Sequence, residues 1–276
     1  MNDIQRIAAF DDDGQGGNPA GVWIGASLPP AAEMARIAHE VGFFETAFAA
    51  PHGDGWRVRY FSPESEVPFC GHATIALGAA LARAHGDGRY ALQLNGAAIT
   101  VEGRRDGARV QAALQSPPTR SAPADPLLVD AALALFGYTR ADLDPRIPPA
   151  LAHGGADHLV LALSSRAALA AMRYGLDAGR KLMLEHGLVT VVLAWAEHPQ
   201  RFHTRNPFAS GGVLEDPATG AGTAALAGYL RDIGWPHGGR IEIVQGEDMG
   251  MRSRLTAEIG DERGGSVRVA GTARML

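Results

Sequence analysis

The chain has 276 residues, long for one hydrophobic core and comfortable for two domains. Apolar residues make up 46% and charged residues 20%, with a formal net charge of −5. That balance excludes a disordered chain, and without a basic stripe it argues against a nucleic-acid partner.

Residues 4–10 read as a strand, followed by a Gly-rich turn carrying Gly17-Asn18-Pro19. Pro29 to Glu40 reads as a helix, with Met34, Ile37 and Val41 at helical spacing and a stop at Gly42. Phe43 to Ala49 and Trp56 to Phe61 read as strands, and Gly71 to Arg83 as a helix. Residues 90–115 give three short strands, broken by Asn95-Gly96 and Asp106-Gly107 turns. Ser116-Pro117-Pro118 opens a stretch rich in Pro, Ala and Ser that runs to Pro126. The domain crossover is expected there, giving domains 1–118 and 119–276, with the last strand near 266–276 free to pack on the first domain. The second half predicts a helix Leu127 to Phe136, strands His158 to Leu163 and Leu188 to Trp195, and a loop Pro199 to Pro217. A helix Gly220 to Asp232 follows, then strands near 240–245, 252–259 and 266–271.

Two scarcities restrict the chemistry. Cys70 is the single cysteine, so no intrachain disulfide, Cys-based zinc site or redox pair can form. Lys181 is the single lysine among 25 Lys and Arg residues. It lies in GRKLMLEHG, an ordinary helical pattern, so a Schiff-base cofactor is not expected, and no GxxxxGK[ST] phosphate loop is present. The histidines show no HExxH or HxH grouping, so no metal is expected. The N-terminal MNDIQRIAAF lacks an apolar targeting core, and the run Leu188 to Ala196 is too short to span a bilayer. A cytoplasmic protein with no membrane partner is the expectation.

An internal repeat organises the chain. Glu66 to Leu81, EVPFCGHATIALGAAL, aligns without a gap to Glu215 to Leu230, EDPATGAGTAALAGYL, at an offset of 149. Asn95-Gly96 falls against Gln245-Gly246 within one residue of that offset. Such a repeat predicts two domains of one architecture related by pseudo-two-fold symmetry. Each copy has a Pro, then a Gly, then a small-residue helix. The first N–H groups of a helix lack internal partners and the macrodipole is positive there, which suits an anion. The expectation is a cleft between domains in which both helix starts hold one small carboxylate or its enolate.

Three side chains could do chemistry. Glu45, in GFFETAFA, would share a strand face with Phe43 and Ala47. Desolvation there would raise its pKa and suit a general acid/base; the competing reading is an exposed strand Glu. His72 stands at a helix start, where the dipole disfavours imidazolium and leaves a neutral ring able to exchange protons; it could instead be a capping or packed His. Asp216 precedes the second helix and could act on substrate or simply serve as an N-terminal anion or turn residue. Cys70 reads as a buried inert thiol. Gly220 to Ala225 fits GxGxxA, but LEDPAT is a poor strand and no acid is well placed downstream, so an NAD(P)-dependent oxidoreductase is a remote alternative.

GNPAGV (17–22), ETAF (45–48), FSPESEVPFCGHATIALGAAL (61–81), EDPATGAGTAAL (215–226) and QGEDMGMRS (245–253) together resemble the PhzF family of phenazine-biosynthesis-like proteins, in order across nearly the whole chain. The resemblance implies an α/β fold of the diaminopimelate-epimerase type: two similar domains, each a mixed sheet curled around a central helix. It implies an isomerase or tautomerase that needs no cofactor, acts on a small carboxylic acid and forms a homodimer. The family's catalytic residues fall on Glu45, His72 and Asp216. Asn18 falls at a common substrate contact, and Gly71, Gly220 and Ala221 offer backbone N–H groups to the substrate. The family usually has a serine where this chain has Ala221, which weighs against the phenazine substrate itself and leaves a non-catalytic anion-binding protein as the main alternative. Racemases of this fold use two cysteines. Cys70 matches the first position and Pro217 is read at the second, so a two-thiol racemase is excluded.

Overall fold

The computed structural model describes residues 4–107 and 109–276. The chain divides into two compact units, one of Met1–Gln115 with Val269–Leu276 and one of Ser116–Arg268.

The first unit contains β1 (Gln5–Asp11), β2 (Asn18–Ile24), α1 (Ala31–Val41), β3 (Thr46–His52), β4 (Gly55–Phe61), β5 (Glu66–Val67), α2 (Gly71–His85), β6 (Gly88–Gln93), β7 (Ala98–Asp106) and β8 (Arg109–Gln115). α2 is the centre of this unit: Gly71 through Ala82 are all buried. Ala, Gly and Leu on every side of this helix leave no polar face for water, so it sits inside a sheet and not upon one. The contact is at backbone range. A Cβ on Gly103 would lie 2.4 Å from the Gly78 carbonyl oxygen, and one on Gly78 would lie 2.5 Å from Val101 Cγ2. α1 packs outside, where Met34 and Ala38 meet Phe48 and Phe61, and it ends on Gly42 in the left-handed region at φ 71.

The second unit contains β9 (Arg120–Pro123), α3 (Pro126–Phe136), β10 (Ala150–His153), β11 (Asp157–Ala162), α4 (Arg166–Ala170), α5 (Leu176–Glu185), β12 (Thr190–His198), β13 (Arg201–Phe208), β14 (Val213–Asp216), α6 (Gly220–Asp232), β15 (Arg240–Gln245) and β16 (Ser253–Ile259). The final strand, β17 (Val267–Met275), pairs antiparallel with β1, from Ile7↔Met275 to Ala9↔Ala273. α6 is the central helix, buried from Gly222 through Leu230. α3 and α5 cover the unit's outer core, where Leu133 and Phe136 pack with Leu161, Met183 and Leu193.

The repeat extends to topology. In the first unit β1–β2 is antiparallel, β2–β3 parallel, β3–β4 and β4–β5 antiparallel, β4–β6 parallel and β6–β7 antiparallel. In the second unit the order is the same: β10–β11, β11–β12, β12–β13, β13–β14, β13–β15 and β15–β16. Each unit is a mixed sheet around a small-residue helix, the fold class expected from the motifs.

Several local expectations are corrected. Asn18 begins a strand and does not sit in a turn; the reversal is made before it, with Gly16 and Gly17 at positive φ. The segment Pro199 to Pro217 is not a loop but holds β13 and β14. Phe202, Thr204 and Asn206 alternate inward on β13, and the polar members of that face hide the strand pattern. The strand after α1 begins at Thr46, so Glu45 precedes it and the face shared with Phe43 and Ala47 does not exist. Among the described residues no helix is long and apolar enough to cross a membrane.

Candidate active site

In the first unit the parallel pairing of β2 and β3 fixes Glu45. Its carbonyl oxygen accepts a hydrogen bond from the Gly21 N–H at 3.1 Å. This extends the ladder by one residue and turns the side chain inward at 7% exposure. The exposed-Glu reading is thereby set aside.

Cys70, extended at φ −140, is the N-cap of α2, and His72 is the helix's second residue. The Thr74 hydroxyl donates to the Cys70 carbonyl oxygen at 2.6 Å and receives the Tyr60 hydroxyl at 2.7 Å. This buried pair of bonds holds the first turn in place. His72 Nε2 lies 3.3 Å from Glu45 Oε2, and His72 Nδ1 lies 3.4 Å from Cys70 Sγ. Burial pushes the His72 imidazole down to about pKa 3. The ring is therefore neutral, with one nitrogen donating and the other accepting. Two tautomeric arrangements satisfy the row: thiol to Nδ1 with Nε2–H to carboxylate, or carboxylic acid to Nε2 with Nδ1–H to sulfur. They differ by the transfer of protons along Cys70, His72 and Glu45. Cys70, read from sequence as inert, is thus in contact with the His72 ring. One ligand atom from each of the three lies within 4.8 Å of the others, so the same groups have the spacing to hold a soft divalent cation. Asn18, in the same unit, is fully buried at the start of β2.

In the second unit Asp216 is the last residue of β14, 6% exposed. Gly220 and Ala221 are the first two residues of α6, Gly220 buried and Ala221 half-buried. The Thr219 hydroxyl lies 2.5 Å from Asp216 Oδ2. Gln245, at the end of β15, reaches both residues. Sequence reasoning missed Thr219 and Gln245 as partners of Asp216, although the Gln245-Gly246 match within the repeat marked the place. Thr219 is the N-cap of α6, as Cys70 is of α2. It is therefore Thr219, not Pro217, that stands where a second thiol would be. β14 runs antiparallel to β13, so the GxGxxA segment does not open a parallel βαβ unit of the nucleotide-binding kind.

A second salt-bridge pair also repeats. Arg59 grips Glu66 through Nε and Nη2, and Arg205 grips Glu215 in the same way. These bidentate pairs pin the short strand before each central helix, β5 and β14, to its neighbour.

Such an arrangement, a mixed sheet around a buried small-residue helix in each unit, defines a class: proteins of the epimerase-like fold. In comparisons with solved structures, the fold matches a predicted epimerase from Pseudomonas aeruginosa at TM-score 0.87 and 25% identity, covering 100% of this chain and 97% of that one. It also matches a PhzF-family phenazine biosynthesis protein from Bacillus anthracis at TM-score 0.85 and 20% identity, covering 99% and 96%. The model of the phenazine biosynthesis-like protein family matches residues 7–276, and the chain belongs to that family. A trans-2,3-dihydro-3-hydroxyanthranilate isomerase of Pseudomonas aeruginosa is 33% identical over 272 residues, covering 96% of this chain and 94% of the relative. The chain is a PhzF-like isomerase.

Proposed function

We propose that this isomerase works without a cofactor, by moving one proton between carbons of a small carboxylic acid, with Glu45 as the base that takes it and the acid that returns it. The observation that carries the reading is the buried contact of Glu45 Oε2 with His72 Nε2 at 3.3 Å. The Glu45 carboxylate is almost closed to water, and the neutral imidazole beside it can pass a proton along the row by taking one at one nitrogen while giving one up at the other, so that no buried cation is formed.

Glu45 removes a proton from a carbon made acidic by conjugation with the substrate carboxylate. The C–H electron pair enters the conjugated system and the glutamate becomes a carboxylic acid. Reprotonation at a different carbon regenerates the carboxylate, so protons and electrons balance with no other reactant. Each unit offers its own donors for a carboxylate or for charge that develops during transfer: the N–H of Gly71 at the start of α2 in the first unit, and those of Gly220 and Ala221 at the start of α6 in the second. The polar side chain assigned to substrate orientation is Asn18 in the first unit and Asp216 in the second. The isomerase named above supplies the first substrate to try, trans-2,3-dihydro-3-hydroxyanthranilate. A homodimer and a cytoplasmic location belong to the same reading and are tested by light scattering and cell fractionation.

The experiment is turnover of that acid, and of related cyclic dienyl carboxylates, by the parent and by Glu45→Gln. The variant keeps the shape and loses the base, so turnover is expected to fall at least about 10²-fold with the thermal melt unchanged. Parent-like turnover by Glu45→Gln would overturn the assignment.

A further inference from the structure

We propose that Thr219 and Gln245 are positioning residues, which together hold the Asp216 side chain as a hydrogen-bond-accepting carboxylate in one fixed orientation. The role of Asp216 itself rests on the function proposed above; the clamp rests on geometry alone.

All three residues are buried: Asp216 is 6% exposed, Thr219 8% and Gln245 1%. The Gln245 amide is used on both sides. Its Oε1 accepts the Thr219 N–H at 3.1 Å. Its Nε2 donates to the Asp216 carbonyl oxygen at 2.6 Å and to Thr219 Oγ1 at 3.0 Å. An amide nitrogen has two hydrogens, and these two acceptors take them both. Thr219 Oγ1 therefore receives a hydrogen bond from Gln245, and its own single hydrogen points to Asp216 Oδ2 at 2.5 Å. The direction of the last bond is set by the one before it. A hydroxyl compelled to donate favours the ionised form of the acid that accepts.

The backbone reinforces the clamp. Gly246 follows Gln245 at φ 71, and a Cβ there would lie 2.7 Å from the Pro217 carbonyl oxygen and 2.5 Å from that of Met251. The absence of a side chain at 246 lets the Gln245 and Asp216-Pro217 segments lie against each other.

The repeat separates this role from mere folding. The first unit builds the same strand-to-helix connection, with Val67 at the register position of Asp216 and Cys70 at the N-cap position of Thr219. Asn95, matched in sequence to Gln245, there donates to Glu66 Oε1 at 2.7 Å. One unit thus makes the connection without a Thr–Gln clamp, and the other adds the clamp where it carries the aspartate.

The test compares Thr219→Val, Thr219→Ser and Gln245→Met with the parent and with Asp216→Asn. The readouts are the carboxyl titration of Asp216 followed by carbon-13 NMR, and kcat and KM on whichever acid the parent turns over. Thr219→Val is expected to move the Asp216 titration upward and to lower kcat about tenfold with little change in KM, as loss of one hydrogen bond to a charged group would. Thr219→Ser, which keeps the hydroxyl, is expected to restore both, and Gln245→Met to weaken both by freeing the hydroxyl to turn. If Thr219→Val folds and leaves the Asp216 titration where it was, the clamp is refuted. A shifted titration with parent-like turnover in Asp216→Asn would instead keep the clamp and refute the role given to Asp216. If the valine variant does not fold, the serine and methionine variants decide by the same readouts.

Discussion

The neutral state of His72 gives the account a measurable thermodynamic consequence. The ring is buried and stays unprotonated down to about pH 3, whereas in the unfolded chain it titrates near 6.5. Below 6.5 the unfolded state binds a proton that the folded state refuses, so the contribution of the neutral ring is complete above 6.5 and is lost as pH falls towards 3. Between pH 6.5 and pH 5 the loss accumulates over roughly one and a half pH units at about 1.4 kcal/mol per unit, or about 2 kcal/mol. His158 is an internal reference: fully buried, with Nδ1 2.8 Å from Thr190 Oγ1 and held down to about 4 by burial. It adds a second loss of about 2 kcal/mol over the same interval. Urea unfolding at pH 8 and pH 5 measures the sum, and His72→Gln and His158→Gln are each expected to recover about 2 kcal/mol of the acid-side loss. Imidazole nitrogen NMR gives the folded-state midpoint directly. A His72 ring that protonates near 6.5 in the folded protein, or a His72→Gln variant with the parent's acid dependence, would refute the argument for a neutral relay.

The repeated arginine pairs give a matched comparison. Arg205 and Glu215 side chains are 12% and 5% exposed, so Glu215→Gln leaves a half-buried cation and is expected to cost about 3 kcal/mol in a thermal or urea melt. The Arg59–Glu66 pair is 23% and 27% exposed, and Glu66→Gln is expected to cost about 1 kcal/mol or less; equal losses would contradict the role given to burial. Ala221→Ser adds a hydroxyl to a half-buried helix start. It is expected to raise kcat/KM on trans-2,3-dihydro-3-hydroxyanthranilate if that acid is bound there, and an unchanged ratio would direct the search to other carboxylates.

What the sequence made legible follows from locality. α2 and α6 stood out because their small-residue patterns match each other, and burial of both explains why the pattern lacks a polar face. The end of α1 at Gly42 and the Asn95-Gly96 and Asp106-Gly107 turns are short-range signals of backbone geometry. β2 was obscured because Gly17, Asn18 and Pro19 read as punctuation, and β13 because its inward face carries Thr204 and Asn206 beside Phe202. Glu45 and His72 were singled out separately, yet their contact depends on the parallel ladder between β2 and β3 that pins Glu45. The partners of Asp216 were harder still: Gln245 lies 29 residues away and comes back only through the parallel pairing of β13 with β15. No periodicity within a window of sequence reports such a contact.

The central claim is that Glu45 takes a proton from carbon. The most direct measurement is solvent exchange: incubate the parent and Glu45→Gln in heavy water with a carboxylic acid that the protein isomerises, and locate deuterium in the acid by NMR. The account predicts deuterium at the carbon that gains the proton, or in the recovered substrate, for the parent, with loss of at least about 10²-fold in the exchange rate for Glu45→Gln. Exchange at the parent's rate in the Gln variant would contradict it.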